Sequence, residues 1–129
     1  MSEVLIVDDN ALFRQTLKDI LLSNHLSDLK IHVTEAENGD EAMKRMGLTP
    51  PPELIFMDIQ LPGENGFSLT KKIKAKKLPV YIIMISDYDL SEYQEAAYES
   101  GCDVFLSKSS GLQEIISAVK SALSNSPEL

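Results

Sequence analysis

The sequence predicts an α/β domain, with one parallel sheet of five strands and helices on both faces. Three observations carry this. Short apolar runs and amphipathic segments alternate five times along the chain, the pattern of a parallel sheet joined by right-handed crossovers. The runs Val4-Leu5-Ile6-Val7, Leu54-Ile55-Phe56-Met57 and Val80-Tyr81-Ile82-Ile83-Met84-Ile85 are continuous rather than alternating, as strands covered on both faces are. Turn and cap residues follow each run.

Taken in order, the first strand ends in Asp8 and Asp9, and Asn10 is a good N-cap for the helix behind it. Phe13, Leu17, Ile20 and Leu21 fall on one face of that helix, which should end near Asn24. Ile31, Val33 and Glu35 alternate with His32, Thr34 and Ala36, which suggests a more exposed strand at a sheet edge. Asn38-Gly39-Asp40 turns into a short helix with Ala42, Met43 and Met46 inward, and Pro50-Pro51-Pro52 is too stiff to be helical.

The central strand then runs into Asp58, a Pro62-Gly63 turn and a second turn at Asn65-Gly66. Leu69 and Ile73 mark a third helix with a lysine-rich end. The long run to Ile85 closes at Ser86. Asp89 with Glu92, or Ser91 with Gln94, could cap a weakly apolar fourth helix that Gly101 stops. Val104-Phe105-Leu106 is a fifth strand with Lys108 just past it, and Ser110 with Gln113 could cap a fifth helix whose inward face is Leu112, Ile115, Ile116, Val119 and Leu123. Residues 1–123 read as one domain and 124–129 as a frayed tail or the start of a linker.

With 129 residues, 43% hydrophobic and 25% charged, the chain is long enough for one core and too apolar to be disordered. The formal net charge of −8 argues against direct nucleic-acid binding, which needs a basic patch, and suits acids gathered around a divalent cation. One cysteine, Cys102, forbids an internal disulfide and a zinc cluster. No apolar run nears the roughly 18 residues of a membrane span, so a cytoplasmic setting without membrane contact is expected. The two histidines and Cys102 read as packing or surface residues, and no phosphate loop of Walker type or Ser-His-Asp set is present.

Four of the five strands therefore end in Asp8/Asp9, Asp58, Ser86 and Lys108. In a parallel sheet all strand C-termini share one edge, where ligands bind, so these side chains can converge. Alone, Asp58 reads equally well as the residue that opens a turn. Together, three carboxylates call for a hard divalent cation such as Mg²⁺, while a hydroxyl and an ammonium could hold a phosphoryl group.

The chain resembles the receiver domain of bacterial two-component response regulators over about residues 3 to 123. The motifs are Val7-Asp8-Asp9-Asn10, Met57-Asp58 followed by Leu61-Pro62-Gly63 and Gly66, Ile85-Ser86, and Gly101-Cys102-Asp103-Val104-Phe105-Leu106-Ser107-Lys108. The resemblance implies a flavodoxin-like three-layer (βα)5 sandwich with strand order 2-1-3-4-5. It implies that Asp58 accepts a phosphoryl group from a sensor histidine kinase or phosphotransfer protein. It further implies that Asp9, Asp58 and the backbone carbonyl of Gln60 bind Mg²⁺, with Asp8 acting through water. Ser86 and Lys108 would contact the phosphoryl group, and Ser86 and Phe105 would switch the surface around the fourth helix, fifth strand and fifth helix. Such a domain catalyses only its own phosphorylation and dephosphorylation.

Two departures stand out. Ser109 replaces the proline that often follows the lysine; a cis bond before a non-proline costs about 2.5–4 kcal/mol, so a trans bond or a rearranged loop is expected. Regulators with LuxR-type DNA-binding output commonly lack that proline, which suggests a transcription-regulating parent with an output domain outside this chain; a stand-alone single-domain regulator is the alternative. A phosphorylation-dependent homodimer is a further expected partner. Asp87 stands where a small residue is usual, and Gln60 and Tyr88 flank the site. A phosphatase of the haloacid-dehalogenase type would carry a second Asp where Gln60 stands. A pure interaction module would not need Asp9, Asp58 and Lys108 together.

Overall fold

Val4 to Val7 and Leu54 to Met57 are apolar at every position, and the computed structural model, which describes residues 2–87 and 91–124, buries all eight. They form the middle of the sheet, in β1 (Ser2–Val7) and β3 (Leu54–Asp58). β1 pairs in parallel with β2 (Ile31–Ala36) and with β3, β3 with β4 (Tyr81–Ser86), and β4 with β5 (Val104–Ser107). The order is 2-1-3-4-5, the flavodoxin-like arrangement, and β2 is an edge strand as its alternation implied.

Side chains leave a strand on alternate faces, so each strand feeds two cores. Leu5, Val7, Ile55, Met57, Ile82 and Met84 pack under α2 (Gly39–Met46), α3 (Gly66–Ala75) and α4 (Ser91–Ser100). Val4, Ile6, Leu54, Phe56 and Ile83 pack under α1 (Ala11–Leu21) and α5 (Leu112–Ser124). This two-sided burial makes the strands continuous apolar runs.

Several local expectations are corrected. α1 ends at Leu21, not near Asn24, because a short 3₁₀ helix at Asn24–Leu29 takes over and buries Leu26. Asn65-Gly66 is not a turn: Asn65 caps α3 by accepting from the Ser68 N–H at 2.8 Å, and Gly66 is the first helical residue. Ser110 does not cap α5. Its Oγ accepts from the Ser107 N–H at 3.2 Å, while the Gly111 carbonyl receives the N–H groups of Glu114 and Ile115. Leu112 is 44% exposed, since it stands at the helix start, short of the core that Ile115 and Ile116 reach. Tyr88, the cap at Asp89 and the tail at 125–129 lie outside the described residues.

Candidate functional site

At the end of β1 the chain cannot continue as a strand, and local hydrogen bonds decide where each acid goes. The Asp8 N–H still donates to the Ala36 carbonyl, extending the pairing with β2. Its side chain turns inward, is 1% exposed, and accepts the Asn10 N–H on Oδ1 at 2.8 Å. Asn10 in turn caps α1, accepting the Phe13 N–H at 3.1 Å. Asp9, between the two, is left exposed.

Asp58 closes β3 and is 6% exposed. Beyond it, Gln60–Leu61 and Glu64–Asn65 pair as a two-residue hairpin around Pro62-Gly63, where Gly63 takes a φ of +79°. That geometry suits glycine after proline in a tight turn. The hairpin returns the chain so that the Gly66 N–H donates to the Ile59 carbonyl at 2.6 Å. A Cβ on Gly66 would run into the Asp58 carbonyl oxygen, so glycine here is a matter of space.

Lys108 arrives from the far side of the sheet. Its N–H donates to the Ser86 carbonyl at 2.7 Å, one residue past the Asp58–Ile85 register. Serines hold the loop: Ser109 N–H and Oγ both meet Ser107 Oγ, at 3.1 and 2.7 Å. The Lys108–Ser109 bond is trans, the one cis bond among the described residues being that before Pro50. The Lys108 ammonium lies 2.8 Å from Asp8 Oδ2 and 3.7 Å from Asp58 Oδ1, and 4.6 Å from the centre of the Phe13 ring.

Asp8, Asp9 and Asp58 each offer a carboxylate oxygen, all within 4.8 Å of one another. Burial, and then the charge of Asp8, pushes the Asp58 carboxyl up to about 6, against the opposing pull of Lys108 and a hydrogen bond from the Gln60 backbone. Burial works against the Lys108 charge, but Asp8, Asp58 and Asp87 outweigh it and raise the ammonium above its ordinary value. Asp8 Oδ2 is buried, and the Lys108 ammonium at 2.8 Å gives it a charge-assisted hydrogen bond. Three hard carboxylate oxygens crowded at one strand edge fit a small divalent cation.

The family model for the response regulator receiver domain matches residues 4–120. The chain belongs to that family. It is 37% identical over 108 residues to the sensory transduction protein LytT of Bacillus subtilis, covering 84% of this chain and 42% of LytT. It is 31% identical over 123 residues to the transcriptional regulatory protein ResD of the same organism, covering 95% of this chain and 48% of ResD. The chain thus spans about half the length of these relatives. A two-component response regulator from Clostridium difficile has the same fold, with a TM-score of 0.86 at 26% identity, covering 99% of this chain and all of that one (100%). Receiver domains are signalling domains that work with histidine kinases and output domains, and they bind Mg²⁺ at an acidic pocket. Among the described residues of this receiver, no helix is long and apolar enough to cross a membrane.

The fold therefore gathers Asp8, Asp9, Asp58 and Lys108 at one sheet edge. Ser86 stands beside them, 2% exposed, and Gln60 is exposed at the start of the hairpin. Phe105 is set back from the cluster. It is half-buried, packs with Tyr93 against the α2/α3/α4 core, and its N–H donates to Tyr98 Oη at 3.2 Å. Asp103, part of the fifth-strand motif, lies at the opposite edge. There its Oδ2 accepts from the Ile82 N–H at 2.8 Å and from Lys74 at 2.9 Å.

Three residues of the site do not stand out in the sequence. In the sequence Phe13 reads only as part of the apolar face of α1. Arg14 bridges the Asp8 carbonyl and Glu35 Oε1, both at 2.8 Å, and so ties the Asp8 turn to β2. Gly66 reads as a turn residue in the sequence, yet its missing side chain is what lets the Asp58 carbonyl approach. Only for Phe13 was there a usable signal: a large residue in a helix's first turn, beside strand-end acids, can face the sheet edge as well as the core.

Proposed function

We propose that this receiver is a phospho-switch in which Asp58 accepts a phosphoryl group from a sensor histidine kinase or phosphotransfer protein. The observation that carries the reading is Asp58 itself: a buried carboxylate at a strand end, with two other carboxylates within 4.8 Å and an ammonium 3.7 Å away. In the transfer, a carboxylate oxygen of Asp58 forms the new bond to phosphorus. The bond from phosphorus to the donor breaks, and its electron pair leaves with the donor. With a carboxyl near 6, Asp58 is mostly ionised at neutral pH and ready to attack. Asp9, Asp58 and the Gln60 carbonyl would hold Mg²⁺, with Asp8 acting through water. When bound there, the ion supplies positive charge that lets the anionic carboxylate and phosphoryl oxygens approach. Lys108 and Ser86 take the phosphoryl oxygens, and Phe105 follows Ser86.

The output of the switch is the surface of α4, β5 and α5, acting in the cytoplasm on a DNA-binding output domain, with residues 1–123 as the receiver and 124–129 as a tail or the start of a linker. The transcriptional role of ResD and the half-length match support that partner. A stand-alone regulator acting by protein contact, or a homodimer formed on phosphorylation, would use the same surface. The test is incubation with acetyl phosphate and Mg²⁺. One labile phosphoryl group per chain is expected, absent in Asp58→Asn. Label persisting in Asp58→Asn would move the acceptor to another acid.

A further inference from the structure

The residues around Lys108 form a closed circuit. Asp8 Oδ1 accepts the Asn10 N–H, Asn10 Oδ1 accepts the Phe13 N–H, the Phe13 ring carries the Lys108 ammonium at 4.6 Å, and that ammonium returns to Asp8 Oδ2 at 2.8 Å. The turn that aims Asp8 inward therefore also aims the Phe13 ring. A groove of about 250 Å³ lined by Asn10, Leu12, Phe13, Thr16, Asp87 and Lys108 opens beside it. Asp87 in that groove is an alternative anion for the ammonium on the solvent side.

We infer that Phe13 is a positioning residue: its ring face holds the Lys108 ammonium at the acid cluster and away from Asp87. An aromatic face attracts a cation through its quadrupole. It neutralises no charge and consumes no N–H donor, so all three remain for oxygen partners. It is also broad, so the ammonium can shift from Asp8 towards Asp58 without losing its support. An aliphatic side chain would fill the same core volume but would leave the ammonium free to turn to Asp87. The inference rests on the reading of Asp58 as the acceptor.

The test replaces Phe13 by 3,4,5-trifluorophenylalanine, which keeps the ring and weakens its negative face, and separately by Leu and Tyr. Affinity for beryllofluoride with Mg²⁺ is read by calorimetry, in the native background and in Lys108→Gln. The trifluoro and Leu proteins should bind about three- to tenfold more weakly, Phe13→Tyr should bind like the native protein, and fluorination should have no effect in Lys108→Gln. Equal affinity of the native and trifluoro proteins, or the same loss in the Lys108→Gln background, overturns the inference.

A second readout needs neither metal nor phosphoryl mimic. The Lys108 ε-methylene protons should be shifted upfield by the ring in the native protein and should move towards free-lysine values in the trifluoro protein. Unmoved signals overturn the inference. Beryllofluoride failing to bind the native protein, with the methylene signals behaving as expected, overturns the Asp58 reading instead.

Discussion

Lys108 pairs with Asp8 rather than with Asp58: its ammonium is 2.8 Å from Asp8 Oδ2 and 3.7 Å from Asp58 Oδ1. Asp8 is the more deeply buried carboxylate and has the stronger need for a nearby positive charge. The lysine meets that need, while burial and then the charge of Asp8 push Asp58 up to about 6, against the weaker pull of Lys108 at 3.7 Å.

A divalent cation should relieve this crowding. Mg²⁺ at tenfold over its dissociation constant should raise the melting temperature by roughly 5 °C, since binding to the folded state alone stabilises it. Asp9→Ala, which removes the exposed member of the cluster, should abolish most of the rise. An unchanged melting temperature, or an equal rise in Asp9→Ala, would count against the proposed site.

The raised Asp58 carboxyl sets a pH dependence of known sign. Between about pH 4 and pH 6 the folded protein keeps a proton on Asp58 that the unfolded chain has lost, so metal-free stability should fall as pH rises through this window. The contribution is about 1–3 kcal/mol, largest below the window and gone above it. Denaturant melts of the native protein and Asp58→Asn in chelator should differ in slope over that range. Parallel curves would mean that Asp58 titrates normally.

Gly66→Ala should destabilise the fold by about 1–3 kcal/mol, because the new methyl must push aside the Asp58 carbonyl or the first turn of α3. It should also slow labelling by acetyl phosphate, since the displaced backbone carries the proposed acceptor. Gly111→Ala, which meets nothing within 4 Å, is the control. Equal stability of the two variants would show that the turn relaxes freely.

The proposed output surface is tested by hydrogen exchange with and without beryllofluoride. α4 buries little beyond Ala97 and Ser100, and Phe105 is only half-buried beside Tyr93 and Tyr98. A lightly anchored helix next to a rotatable aromatic should respond first. Protection changes should concentrate at about residues 86–112 and shrink in Ser86→Ala. Changes confined to α1 and α2 would reassign the output face.

Much of this domain was legible in the chain itself. Continuous apolar runs at β1, β3 and β4 fixed which strands are central, because a strand covered on both faces cannot alternate. The alternation of β2 marked the edge. Asp8, Asp9, Asp58 and Lys108 were expected together because parallel strands all end on one side. That inference needs only strand direction, which five β-to-α alternations provide.

What the chain alone did not determine is set by through-space contacts of a few ångströms. Ser110 reads as the cap of the fifth helix until the Ser107 loop takes the serine for itself. Gly66 reads as a turn residue until the hairpin brings the Asp58 carbonyl against it. Which acid Lys108 pairs with depends on how far its loop carries the side chain past β5, and the ring beneath it depends on how α1 is aimed by the Asp8 turn. Periodicity and cap chemistry are local and written along the sequence. Partner choice in a crowded polar site is decided by tertiary packing, where a shift of one ångström exchanges one carboxylate for another.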